Sequence, residues 1–309
     1  MPADTPRVSA IIPHYGDPAL AQQVVADLHD QTSGHLLEVI VVDDCSPTEF
    51  PDQSEVVVVR RQDNGGFGAA VNSGAAVARG ELLMVLNSDV RLSHDLVARL
   101  VEQATPLMPA VVGPRTTTPA GAEEPTGRRF PTTHHWVIER LVALQKFSEQ
   151  GWYQRATGRV RPRDPHPRKV DWLQGSLLLL PANAFRAVDG FDERFYLYSE
   201  EVDLQRRLSD VGVSAWLLPT VSVEHEGGSS TDFDRSNEWL VRSRITYADK
   251  WGGLRSLRHA MRAVAVVNFA TRSVQRVAGR PTAPRVAWRR EMRAASTPPW
   301  PSPPDVEET

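Results

Sequence analysis

Four short apolar runs constrain this chain most. They are Val8–Ile12 (VSAII), Leu36–Val42 (LLEVIVV), Glu55–Val59 (EVVVV) and Glu81–Leu86 (ELLMVL). Each has strand length, and each stops at a proline or a polar residue, so each reads as a buried strand. Between them lie segments of helical character. Pro18–Asp30 repeats Leu20, Val24, Val25 and Leu28 at helical spacing, Gly68–Ala78 is small and helical, and Ser93–Glu102 follows a serine cap. Ala110–Gly113 reads as a further strand. This alternation predicts an α/β fold, a mostly parallel sheet with helices on both faces. Such sheets bind ligands beyond the carboxyl ends of their strands. Pro13-His14-Tyr15, Asp43-Asp44 and Asn87-Ser88-Asp89 each follow a strand, so three loops converge on one edge.

Residues 114–170 change character. Pro, Thr and Arg become frequent, strand patterns vanish, and a helix over Trp136–Phe147 interrupts the stretch, which reads as an insertion or a mobile segment over the site. Val170–Leu180 is apolar again, and Trp216–Leu218 and Val221–Val223 read as late strands. The expected organisation is a main domain over 1–250, an Arg-rich helical extension over 251–295 and a disordered, proline- and acid-rich tail over 296–309.

Composition narrows the classes. The formal net charge of −3 gives no reason to expect a nucleic-acid partner. The single cysteine, Cys45, excludes an internal disulfide framework and fits a reducing cytoplasm. The N-terminus lacks a basic stretch followed by an apolar run. The longest apolar runs, Leu177–Leu180 and Ala263–Val267, fall far short of the ~20 residues that span a bilayer. A soluble cytoplasmic protein is expected, or one lying on a membrane surface. The stretch 254–293 has two readings. Leu254, Leu257, Met261, Val264, Val267 and Phe269 form a face for packing on protein or for peripheral contact with anionic lipid. The scattered arginines favour packing. The sequence gives no sign of oligomeric state.

Five stretches carry chemistry. Asp43-Asp44 could accept hydrogen bonds from a base or ribose, but Asp-Asp-Cys-Ser-Pro is also good turn chemistry, and alone the turn is preferred. Asn87-Ser88-Asp89 stands evenly between a turn and a carboxylate site for Mg2+ or Mn2+ shared with a diphosphate. Asn64–Gly74 (NGGFGAAVNSG) imitates a dinucleotide fingerprint at Gly66 and Gly68, but Val71 breaks it. Its small residues suit close packing of a helix on ligand or sheet, with Asn64 and Asn72 as polar contacts. His225 follows a strand and precedes two glycines, where backbone can approach a ligand.

The fifth stretch, Phe195–Leu208 (FYLYSEEVDLQRRL), places Glu200 and Glu201 at the head of a helix behind an aromatic run. Leu204, Leu208 and Val211 mark its buried stripe. Both glutamates then begin on the inward side, with Asp203 and Arg207 more outward. The helix dipole favours acids there and should keep them ionised. Inward placement among aromatics suits a general base.

In order, VSAIIPHYGDP, EVIVVDDCSPT, NGGFGAAVNSG, LNSDV, VDWLQGSLLLLPANAF, GFDERFYLYSEEVDLQRRL and VEHEGGSS resemble the inverting glycosyltransferases of family 2, which have the GT-A fold. The run Trp172–Leu208 looks most like bacterial rhamnosyltransferases of cell-wall and polysaccharide assembly, and somewhat like galactofuranosyltransferases. The resemblance implies a dTDP- or UDP-linked sugar donor held by Pro13, Tyr15, Asp43, Asp44, Asn64, Gly66, Asn72, Asn87, Ser88 and Asp89. It implies Mg2+ or Mn2+ on Asp89 near His225. It also implies a hydroxyl acceptor (glycan, lipid-linked or small molecule) beside Trp172, Gly175, Ser176, Tyr198 and Glu200. Glu201 falls on the catalytic acid, with Glu200 as the alternative base. Two departures stand out: Asn87 where an acid is common, and Glu201 where Asp is usual. A sugar nucleotidyltransferase is the lesser rival, since IIPHYGDP lacks a Gly-rich basic loop. A non-catalytic nucleotide-sugar-binding protein is the other.

Overall fold

The computed structural model describes residues 7–32, 34–162, 164–227 and 233–301. The first strands and helices are β1 (Val8–His14), α1 (Pro18–His29), β2 (Leu36–Asp43), β3 (Val56–Arg60), α2 (Phe67–Val77), β4 (Leu82–Leu86), β5 (Val90–Arg91), α3 (Leu96–Ala104), β6 (Ala110–Thr117) and β7 (Gly127–Arg128). Next come α4 (Thr133–Arg140), α5 (Gly151–Ala156), β8 (Arg159–Val160), β9 (Arg168–Val170), β10 (Trp172–Leu173), β11 (Leu177–Pro181), α6 (Ala182–Ala187), α7 (Glu200–Asp210) and β12 (Ser214–His225). Helices α8 (Phe233–Lys250), α9 (Leu254–Val277) and α10 (Pro284–Ala294) follow. The chain divides into two compact units, residues 1–128 with 161–231 and residues 129–160 with 232–309.

In the first unit the main sheet has the order β3-β2-β1-β4-β11-β6-β12-β5, with β9 also pairing β12. Strands β3, β2, β1 and β4 run parallel. Beyond them the sheet is mixed. β11 is antiparallel to both β4 and β6, and β12 is parallel to β6. Every residue of β1 is buried, which is why its sequence is continuously apolar rather than alternating. Helix α2 lies hard on this sheet. A methyl group at Gly74 would come within 2.6 Å of Ile11 and 2.9 Å of Val42. One core cluster joins Ile12, Met84, Leu179 and Leu218 of the sheet to Leu28 of α1 and Leu100 of α3.

Two sequence expectations change here. The late strands are one strand, β12, whose register slips between Leu218 and Ser222. Pro219 lies in that interval and has no N–H to give the ladder. Helix α3 begins at Leu96 behind Asp95, not at a serine cap; the Ser93 hydroxyl donates to Asp95 instead, at 2.7 Å.

The second unit is helical. Its core joins Trp136 of α4, Val241 and Ile245 of α8, and Leu257, Met261 and Val264 of α9. Residues 129–160 are therefore built into a helical core, and this division does not coincide with one at residue 250, because α8 supplies two core residues. The inward face of α9 is occupied by that core, while Val267 stays 48% exposed. The tail expected to be disordered is corrected over 296–301. The Trp300 indole donates to Ser243 at 3.0 Å, and its ring lies 4.0 Å from the Arg242 guanidinium. Residues 302–309 lie outside the described residues. Among the described residues, no helix is long and apolar enough to cross a membrane.

Candidate active site

The ends of β1 and β2 set one wall. Pro13 and His14 are buried in β1, while Tyr15 is half exposed just beyond it. Burial lowers the proton affinity of His14, whose Nε2 has no hydrogen-bond partner among the described residues. Asp43 closes the turn after β2. Its Oδ1 accepts from Ser46 N–H and its Oδ2 from Phe50 N–H, both at 2.8 Å. Burial opposes its ionisation, yet these donors outweigh burial and hold the carboxyl below its ordinary value. Asp44 braces a different turn. Its Oδ1 accepts from Arg61 Nε at 2.7 Å and Gly65 N–H at 3.1 Å, and its Oδ2 from Gly66 N–H at 2.8 Å. Burial still lifts the Asp44 carboxyl above its ordinary value against those donors.

The braced turn carries Asn64 and Gly66. Gly66 has φ +85°, and a Cβ there would lie 1.9 Å from the Tyr196 carbonyl oxygen, so only glycine fits this approach. Phe67 N–H donates to the same carbonyl at 3.3 Å. Asn64 Oδ1 is buried without a partner among the described residues. Asn72 behaves differently. Its amide nitrogen donates to Phe191 O and Glu193 Oε1, and its oxygen accepts from Phe191 N–H, all at 2.9 Å. It ties α2 to the loop before α7.

The end of β4 sets a second wall. Asn87, Ser88 and Asp89 are half-buried there. His225, at the end of β12, brings its Nε2 to 3.3 Å from both Asp89 Oδ1 and Asn87 Nδ2. Its Nδ1 lies 3.5 Å from Glu124 Oε2. Asp89 first and Glu124 second push the imidazole up to about 9, against the effect of burial. Residues 228–232, which include the last three residues of VEHEGGSS, lie outside the described residues.

The head of α7 is the third wall and the most unusual. Tyr198 (φ +70°) and Ser199 (φ +67°) both occupy the left-handed region, which costs a non-glycine residue about 1–3 kcal/mol each. The strain turns the chain so that both Glu200 and Glu201 enter the protein. Each has a buried Oε2 with no hydrogen-bond partner among the described residues. Burial, then repulsion from Glu201, raises the Glu200 carboxyl well above its ordinary value. Burial also raises Glu201, against backbone hydrogen bonds and the charge of Arg128. Burial thus opposes the ionisation that the helix dipole was expected to favour, and desolvation is the larger effect. Two neighbours also depart from expectation. Asp203 is fully buried, paired to Arg207 at 2.8 Å, because the first turn of α7 is enclosed on more than one side. Val211 is 60% exposed, because the helix has ended at Asp210.

The segment 172–176 links these walls. Gln205 of α7 donates to Leu173 O and accepts from Leu173 N–H, both at 2.8 Å. A methyl group at Gly175 would sit 3.6 Å from Glu201 Cβ. Ser176 O accepts from Asn87 N–H at 3.0 Å, while its hydroxyl meets Thr116 Oγ1 at 2.9 Å. Trp172 is buried, with the Arg128 guanidinium 5.5 Å from its ring centre. One short segment thus touches both the Asn87–Asp89 turn and the glutamate pair. Sequence reasoning missed Arg61, Gln205, Arg128 and Glu124. The strand-end rule that found Asp43 also covers Arg61, just past β3, and Glu123-Glu124 is an adjacent acid pair like the two singled out.

The mixed sheet with its flanking helices is the GT-A fold. Two solved structures share it. GalNAc-T7 with UDP, GalNAc and Mn2+ matches with a TM-score of 0.58 at 15% identity, over 84% of this chain and 55% of that one. The mannosyltransferase PcManGT from Pyrobaculum calidifontis, in complex with GDP-Man and Mn2+, matches with 0.55 at 15% identity, over 96% and 85%. The family model for glycosyl transferase family 2 matches residues 9–164, half of the chain. The chain belongs to glycosyl transferase family 2. An N-acetylglucosaminyl-diphospho-decaprenol L-rhamnosyltransferase of Mycobacterium tuberculosis is 31% identical over 206 residues. The match takes in 62% of this chain and 66% of that protein's length.

Proposed function

We propose that the protein is an inverting glycosyltransferase. It moves a sugar, L-rhamnose or a similar hexose, from a dTDP- or UDP-linked donor to a hydroxyl of a lipid-linked or glycan acceptor. The reading rests above all on a buried and a half-buried glutamate at a strained helix head, each with one buried, unpartnered oxygen, the second of them beside Gly175. A buried acid without a partner costs stability, so its retention points to a ligand that completes it.

The pair divides the work. Glu200 has the higher proton affinity and, when protonated, can donate a hydrogen bond to an acceptor oxygen. Glu201, held lower by backbone hydrogen bonds and the charge of Arg128, is the base. It takes the proton of the acceptor hydroxyl as that oxygen forms a bond to the anomeric carbon. The bond from that carbon to the diphosphate oxygen breaks, and the nucleoside diphosphate leaves with the electron pair from the opposite face. Burial raises the basicity of Glu201, which suits it to this transfer near neutral pH. Asn64 Oδ1 and the Gly66 turn face the donor. Trp172, Gly175 and Tyr198 line the acceptor side.

The residues at the end of β4 fit a divalent cation. Asp89 supplies a carboxylate, His225 an imidazole, and Glu124 a buried oxygen without a hydrogen-bond partner. Among the described residues no three His, Cys, Asp or Glu side chains form a metal-binding group by themselves, so an ion there would need further ligands, such as substrate phosphate oxygens. Mg2+ or Mn2+ held there would supply positive charge beside the leaving diphosphate. A lipid-linked acceptor, like the decaprenol-linked one in the name of the mycobacterial relative, would put the reaction beside a membrane.

The test is a panel of UDP-, dTDP- and GDP-sugars assayed for metal-dependent hydrolysis and transfer. Turnover of one or a few donors is expected. Donor binding with no turnover of any would favour a non-catalytic nucleotide-sugar-binding protein.

A further inference from the structure

Helix α9 is apolar on two faces. Leu257, Met261 and Val264 turn into the core of the second unit. On the other side, Ala263, Val266, Val267, Ala270, Val274 and Val277 are all exposed. Their spacing, i, i+3, i+4, i+7, i+11 and i+14, draws a single stripe along a helix. At 1.5 Å per residue the stripe is about 21 Å long. Val266 is 59% exposed, Val274 70% and Val277 91%, so the rest of the chain does not cover it. A helix that is apolar on both faces is normally covered on both, and a contiguous exposed apolar patch marks a binding surface.

Charge selects the partner. The helix contains five arginines and no acidic residue, in a chain whose formal net charge is −3. Arg255, Arg262 and Arg276 are exposed. Helical phase sets Arg255 and Arg262 along one border of the stripe. A second copy of the chain seated there would repeat the same surface and bring arginines against arginines. A nucleic acid offers the valines nothing. The stripe also lacks the aromatic anchors that centre protein interfaces. An anionic bilayer answers both features: its acyl boundary takes the valines, and its headgroups take guanidinium groups on long, flexible stems. Among the described residues no helix is long and apolar enough to cross a membrane, so α9 would lie along the surface.

We propose that the outer face of α9 docks on anionic lipid bilayers, its valine stripe in the acyl boundary and Arg255 and Arg262 on the headgroups. The face named from sequence, through Leu257, Met261 and Val264, belongs to the protein core, and the lipid face is the opposite one. A lipid-linked acceptor would suit this docking. The inference does not rest on sugar transfer, because no residue of the glutamate site enters it and its test needs no turnover.

Flotation of the full chain with phosphatidylcholine vesicles, with and without phosphatidylglycerol, tests it. Binding to the anionic vesicles should be about tenfold tighter or more than to the neutral ones, and should weaken as salt rises. Val266→Ser with Val274→Ser leaves the charge intact, and Arg255→Gln with Arg262→Gln leaves the stripe intact. Each pair should weaken binding about tenfold or more. All four side chains are exposed, so Tm should hold. Val211→Ser, at an equally exposed valine of the other unit, should change nothing. Absence of flotation, equal binding to both kinds of vesicle, or unchanged binding in either double variant overturns the proposal. So does a dimer of the full chain that the valine variant dissociates, which would give the stripe to a second copy.

Discussion

Two pairs of adjacent acids, one at the end of β2 and one at the head of α7, are opposites. In Asp43-Asp44 all four carboxylate oxygens accept hydrogen bonds from the protein. In Glu200-Glu201 one oxygen of each is buried without any among the described residues. The first pair follows a relaxed strand end, whereas the second follows two residues in left-handed backbone. A satisfied buried carboxylate braces the fold. An unsatisfied one costs about 1–3 kcal/mol, and strain at its entrance adds more. Folding favours removal of such a feature, and its retention is the observation on which the proposed catalytic role rests.

The largest expected effect separates the pairs by activity. Glu201→Gln should cut sugar transfer about a thousandfold, with donor binding kept and Tm unchanged or raised. Near-normal transfer would move the base to Glu200 or away from the pair. Stability gives the mirror image. Asp44→Ala leaves Arg61 and two N–H groups without their acceptor and should cost about 3–5 kcal/mol by urea unfolding. Glu200→Gln should cost nothing or stabilise. Equal losses in both variants would erase the contrast. Next comes Gly66→Ala, which drives a methyl into the Tyr196 carbonyl and should cost roughly 2 kcal/mol. A neutral result would mean that the turn is not held against the chain entering α7.

The smallest effect is in pH. Glu200 and Glu201 bind protons more tightly in the folded chain than their ordinary value of 4.5. Their contribution to stability therefore falls as pH climbs from 4.5 through the raised folded values, and Glu200→Gln should flatten that decline. Asp43 has the opposite sign. Its contribution is full above 3.8 and is lost as pH drops through its depressed folded value, and Asp43→Asn should remove that loss. Urea midpoints across pH read both slopes, and slopes of the same sign would contradict the contrast.

The strands were legible because buried parallel strands must be continuously apolar. The glutamate pair was legible because helical phase turned it inward. The same phase argument failed for Asp203, since it assumes one buried face and α7 is enclosed on more than one side at its first turn. It also failed at Val211, beyond the helix end. Antiparallel β11 could not be read from LLLL, because either strand direction buries the same side chains. Residues 129–160 looked like a loose insertion because Trp136 packs against Val241 and Met261, more than a hundred residues away in sequence. Glu124 lay in a stretch without pattern, and its role depends on His225 from the far end of the sheet.

A structure of the chain with Mn2+ and a turned-over nucleoside-diphosphate sugar tests the central claim most directly. It should show Mn2+ at Asp89, the diphosphate against it, and the anomeric carbon of the sugar open to Glu201. A sugar seated elsewhere, or a Glu201 carboxylate walled off from it by protein, would contradict the account.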